Sequence, residues 1–164
     1  MLSHMPRIDV PAGAGDEAVR VWKLRPEMGA MVDTMVRTVY GSSILPAAER
    51  EVARMKIAQL NACSACATFR APSVRAAGVA EDLYTHLDDY DTYAGYTERQ
   101  RLAIEYADRF ASDHASIDDE LFSRLHAAFS DAEILDLTMC VAAYVGLGRA
   151  MTVLGIEDPA SVEL

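Results

Sequence analysis

Residues 49–79 read "EREVARMKIAQLNACSACATFRAPSVRAAGV", and the fold turns on how this stretch is divided. Its first part follows Pro46, a residue suited to a first helical position, and continues in good helix formers to Leu60. Asn61 is a favoured N-cap residue, so a second helix is expected to start at Ala62 or Cys63. Pro72 cannot donate to the carbonyl of Thr68, so that helix should kink or break shortly after Arg70. Gly78 is the expected C-cap.

Working outward, the helical period persists. "MGAMVDTMVRTVY" sets Met28, Met31 and Met35 on one stripe, expected to be core or subunit interface. "EDLYTHLDDY" reads as a short amphipathic helix, and "DTYAGYT" after it as a loop. Thr97 with Gln100 and Ser130 with Glu133 form capping boxes before two further apolar runs. Ser116 is the expected cap of the helix between them. With no period-two stretch of useful length, the fold class is all-α with six to eight helices.

The 164 residues suffice for one domain with a real core. Residues 1–15 read as a flexible arm, residues 1–4 resembling a cloning-site remnant, and residues 16–164 as a single helical domain. A net charge of -10 disfavours nucleic acid and anionic membrane surfaces as partners. We find no long apolar run and no signal-peptide core, so a cytoplasmic location is expected. Three cysteines in a reducing compartment do not make a structural disulfide framework.

Cys63 and Cys66 have the spacing of a redox dithiol. In the first turn of a helix, unpaired backbone N–H groups would favour a thiolate, and Arg70 on the same face would add a fixed cation. Zinc is disfavoured because no second ligand pair exists, and His86, His114 and His126 are scattered. Haem attachment fails because Ala67 follows the second cysteine. Neither a metal nor a cofactor is called for. Two small buried residues remain the bland alternative to redox chemistry. Cys140, in an apolar run, is expected to be a core residue, and Tyr144 and Arg149 to serve packing or an interface. Asp88, Asp89 and Asp91 read as a solvated loop.

With these residues in view, the chain resembles the carboxymuconolactone decarboxylase family, in its alkylhydroperoxidase D-like branch. The signature there is a glutamate, a CxxC a dozen residues on, and a histidine four after the second cysteine; Glu51, Cys63, Cys66 and Arg70 stand at those spacings. The likeness spans roughly residues 25–156. It implies a helical fold built round an antiparallel helix pair, assembled into homo-oligomers, trimers or hexamers. It also implies a thiol-dependent peroxidase acting on a hydroperoxide and restored by an external dithiol reductant. Cys66 would attack the peroxide, Cys63 would resolve it and face the reductant, and Glu51 would serve a proton relay. Arg70 departs from the pattern, because arginine stays protonated and cannot shuttle a proton. It is expected to hold Glu51 in a bidentate pair, stabilise a thiolate, or bind an anionic group. Two other readings therefore stand beside the peroxidase: a thiol–disulfide oxidoreductase, and a helical oligomeric binding protein without peroxidase activity. Lactone-acid decarboxylation ranks below both, since it leaves the CxxC without a task.

Overall fold

The computed structural model describes residues 6–156, and residues 1–4 lie outside that range. Among the described residues the chain is all-α, with no strand. Residues 6–15 form no helix, yet Arg7 is tied to the last turn of the longest one: its backbone N–H donates to the Leu154 carbonyl at 2.8 Å. The helices are α1 (Glu17–Arg20), α2 (Pro26–Gly41), α3 (Ala47–Leu60), α4 (Ser64–Thr68), α5 (Pro72–Ala76), α6 (Glu98–Ser112), α7 (Asp119–Ala128) and α8 (Asp131–Leu154).

Helix α3 is the centre of the fold. Its largest contact is with α6 and its next with α8. Glu49 meets Arg99 and Lys56 meets Asp108, so α3 and α6 lie start against start and end against end. An antiparallel pair is present in α6 and α7: Arg109 near the end of α6 faces Asp118, and Arg99 near its start donates to the Ala128 carbonyl. The core fills the space between these helices with Val52, Ile57, Leu102, Ile104, Leu121, Leu125, Leu137 and Val141.

Every residue of α3 from Glu49 to Ala58 is buried, charged ones included. A buried charge is tolerated only with partners, and these come both from within α3 and from other elements. Lys56 donates to the Leu87 carbonyl at 3.3 Å, near Asp108 and Asp88. The loop with Asp88 and Asp89 thus closes over the end of the central helix.

The capping boxes form as expected, Thr97 with Gln100 and Ser130 with Glu133. Other expectations need correction. The cap of α7 is Asp118, whose side chain accepts from the Leu121 N–H, while Ser116 ends a 3₁₀ turn just before it. Only Glu81–Tyr84 of the stretch 81–90 is helical, as one 3₁₀ turn. The core half of the expectation for the methionine stripe holds only for Met35, which packs against Val39, Cys140 and Ala143; Met28 and Met31 are exposed. Cys140 is buried as expected. Finally, α8 is long and apolar enough to cross a membrane by length and composition alone, with a window of mean hydropathy 1.5. It carries a long apolar run that the sequence reading did not find. Here one side of it packs on the core through Ile134, Leu137 and Val141, while Leu135, Met139 and Val153 are exposed.

Candidate functional site

The dithiol sits where one helix stops and another starts. Asn61 is not an N-cap but the C-cap of α3. The N–H of Ala62 donates to the Gln59 carbonyl, and the N–H of Cys63 to the Ala58 carbonyl, both at 3.0 Å. This is a Schellman turn, in which two crossed hydrogen bonds close the last turn of a helix. It needs a left-handed residue after the C-cap, and Ala62 supplies it with φ of 50°. Cys63 then precedes α4, and its Sγ lies 3.2 Å from the backbone N of Cys66, in the manner of a capping side chain. Helix α4 starts at Ser64, one residue later than the latest start expected from Asn61.

Cys63 and Cys66 form a disulfide, with an S–S distance of 2.11 Å and Cα atoms 5.3 Å apart. Cys63 is 6% exposed, while Cys66 is half-buried. Cys66 is therefore the more accessible cysteine of the oxidised pair.

Glu51 lies on α3 with no exposed surface. Its partner is not Arg70. Arg54, one helical turn on, donates through Nε to Glu51 Oε2 at 2.9 Å. The same guanidinium donates through Nη1 to the Cys66 carbonyl at 2.5 Å and through Nη2 to the Phe69 carbonyl at 3.0 Å. Burial works against the Arg54 charge, yet the adjoining Glu51 carboxylate holds its pKa raised. The second oxygen of Glu51, Oε1, has no hydrogen-bond partner.

Arg70 is fully engaged on the opposite side. It forms a two-pronged ion pair with Glu81, at 3.1 and 3.0 Å, and donates to the Ala67 and Phe69 carbonyls. Its guanidinium lies 3.9 Å from the centre of the Tyr84 ring. Arg70 thus clamps the end of α4 to the 3₁₀ turn. The break expected at Pro72 is present: α4 ends at Thr68, and Pro72 opens α5.

Three tyrosines from three elements surround the Glu51–Arg54 pair. Burial, then the charge of Glu51, pushes the Tyr84 phenol up to about 12. Burial also pushes Tyr40 to about 12, and Tyr144 well above its ordinary value. The hydroxyls of Tyr84 and Tyr144 are buried without a well-formed hydrogen bond. Asn61 anchors the junction from below. Arg149 donates to its side-chain oxygen at 3.1 Å, and Thr152 to its carbonyl at 3.3 Å. Arg149 is exposed and also donates to the Ala111 carbonyl at 2.7 Å, tying α8 to both Asn61 and the end of α6. A cleft of about 290 Å³ opens beside this region between the end of α2 and the start of α5, with Tyr40, Ala71 and Pro72 in its wall.

Of the four residues singled out in the sequence, Cys63 and Cys66 are bonded and Glu51 is joined to Cys66 through Arg54. Arg70 grips the same short helix without pairing with Glu51. Arg54 escaped the sequence reading, although its i, i+3 spacing from Glu51 was visible. His86 stacks on Tyr93 and faces Asp89, and His126 faces Asp131, so both are engaged elsewhere.

No family model matches the chain. Two uncharacterized proteins of Mycobacterium tuberculosis are each 30% identical to it over 88 residues, or 54% of this chain. The chain spans about a third of their length, 31%. Among solved structures, it is similar to a protein of unknown function from Agrobacterium tumefaciens, provisionally named an antioxidant defence protein AhpD. The TM-score there is 0.71 at 22% identity, covering 85% of this chain and 96% of that one. It is also similar to an uncharacterized peroxidase-related protein from Silicibacter sp., with a TM-score of 0.73 at 19% identity, covering 85% and 74%. The chain shares the all-helical fold of these proteins.

Proposed function

We propose that the chain is a thiol-dependent peroxidase of the alkylhydroperoxidase D-like branch of the carboxymuconolactone decarboxylase family. The observation that carries this reading is the Cys63–Cys66 disulfide, set against a buried carboxylate with a free oxygen. In the reduced form, the Cys66 thiolate attacks the O–O bond of a hydroperoxide. The alcohol leaves with a proton and Cys66 becomes a sulfenic acid. The Cys63 thiol condenses with it, releasing water and closing the disulfide. An external dithiol, acting as thiolate, opens the disulfide and leaves as its own disulfide. Cys66 is the more accessible of the pair, so both peroxide and reductant enter there. Glu51 relays the thiol proton through Oε1 to the departing alkoxide and is left as a carboxylate, since Oε2 is held by Arg54.

Arg70 supports a second reading, thiol–disulfide exchange with another dithiol protein. Its donors are committed to Glu81 and to backbone carbonyls, so no proton shuttle stands where the relay histidine is expected. The protein is read as cytoplasmic, where a dithiol carrier can keep the pair reduced. It is also read as a homo-oligomer, with the exposed Met28, Met31, Leu135 and Met139 as the apolar surface available for assembly.

The test is turnover of hydrogen peroxide or an organic hydroperoxide with a dithiol reductant. Cys66→Ser is expected to abolish turnover, and Cys63→Ser to stop it after one equivalent. Unchanged turnover in Cys66→Ser defeats the proposal. If the wild type consumes no peroxide but exchanges rapidly with a dithiol protein, the second reading holds.

A further inference from the structure

The Glu51–Arg54 pair does not have the form of a purely structural buried ion pair. Such a pair is stable when both partners have their remaining hydrogen-bonding capacity met by surrounding groups. Here Oε1 of Glu51 is unpartnered in the interior. The other donors of Arg54 go to the backbone of the dithiol segment rather than to a further carboxylate. One cation is thus shared between a buried carboxylate and the carbonyl of the more accessible cysteine.

We infer that Arg54 is a positioning residue that couples the charge of Glu51 to the ionisation of the Cys63–Cys66 dithiol. The inference rests on the dithiol reading above and extends it to a residue outside the Glu…CxxC signature. In the reduced protein, a thiolate at this segment gains from the Arg54 cation, and the Glu51 anion offsets part of that gain. Both effects are strong because the pair is buried and weakly screened: Arg54 is 3% exposed and Glu51 not at all. The other charged and titratable groups around the pair come from every neighbouring element. Arg50 lies on α3, Tyr40 on α2, Tyr144 on α8, and Tyr84 on the 3₁₀ turn with Arg70 over its ring. Burial holds the three phenols neutral.

The coupling has a sign that a merely structural role lacks. Removing the anion leaves Arg54 uncompensated and favours the thiolate. Removing the cation leaves Glu51 uncompensated and disfavours it. The experiment measures the rate of iodoacetamide alkylation of the fully reduced protein as a function of pH, which requires no peroxide. Glu51→Gln is expected to raise the reactive thiolate fraction at neutral pH about tenfold, one pKa unit. Arg54→Met is expected to lower it by a similar factor, and the double variant to return close to the parent. Shifts of the two single variants in the same direction, or shifts below threefold, overturn the inference. If Arg54→Met does not fold, Arg54→Lys keeps the charge and is read instead. It is expected within threefold of the parent, with Glu51→Gln still tenfold above, and a departure in either overturns the inference. A protein without peroxide turnover still gives a readable alkylation profile, so failure of the peroxidase proposal is distinguishable from failure of this one.

Discussion

The dithiol helix has two flanks built from the same parts under different conditions. Upstream, α3 ends in a Schellman turn on Ala62, and the ion pair Arg54–Glu51 is buried. Downstream, α5 ends in a Schellman turn on Gly78, with φ of 68°, and the ion pair Arg70–Glu81 reaches solvent. Glu81 is 72% exposed at its side chain, and Glu51 has no exposure. The downstream flank uses the residue each position favours. The upstream flank carries a non-glycine residue in the left-handed region and a carboxylate oxygen without a partner. Unfavourable features of this kind concentrate where function requires them and are held by the surrounding packing.

The largest expected effect comes from breaking the buried pair. Arg54→Met leaves a carboxylate uncompensated in the interior and should destabilise the fold by about 3–5 kcal/mol. The second variant Arg54→Met/Glu51→Gln should recover a substantial part of that loss. Denaturant unfolding of the three proteins checks both statements. Equal losses in the single and double variants would mean that the pair matters only for its packing.

The two turns should respond to opposite exchanges with opposite signs. Ala62→Gly relieves a left-handed alanine and should stabilise by roughly 1 kcal/mol, while Gly78→Ala should destabilise by a similar amount. Thermal unfolding of each variant against the parent provides the measurement. If both exchanges are destabilising, the Ala62 side chain contributes packing that outweighs its backbone strain.

The smallest effect belongs to the exposed pair. Arg70 holds the Glu81 carboxyl below its ordinary value. A carboxyl depressed in the folded state contributes stability above its unfolded value, near pH 4.5, and loses that contribution as pH falls through the folded value. Solvent screening keeps the contribution at Glu81 within about 1 kcal/mol. Glu81→Gln should therefore cost that small amount at neutral pH and nothing in strong acid. Unfolding curves at the two pH values show whether the difference disappears.

Much of the helical frame was legible in the sequence, for local reasons. The boxes Thr97–Gln100 and Ser130–Glu133 name their own helix starts, and Gly78 names a helix stop. Asn61 misled because an asparagine suits either end of a helix, and nothing local marks Ala62 as a turn residue. The Met28–Met31–Met35 stripe has helical spacing, but spacing does not say which neighbour covers it, and only Met35 finds one in the chain.

The sequence by itself determined the all-helical class, the dithiol, and the glutamate a dozen residues upstream, because periodicity, capping and spacing are properties of adjacent residues. Only the tertiary structure decided who partners whom. Arg54 reaches the carbonyls of residues 12 and 15 positions away, and Arg70 a carboxylate 11 positions on. A helix as charged as α3 reads as a surface element, yet α6 and α8 cover it, α6 brings Arg99 and Asp108 to Glu49 and Lys56, and Glu51 pairs with Arg54 within the helix. Burial turns those charges from solvated groups into a coupled set, and burial is a property of the packed chain, not of any one stretch of it.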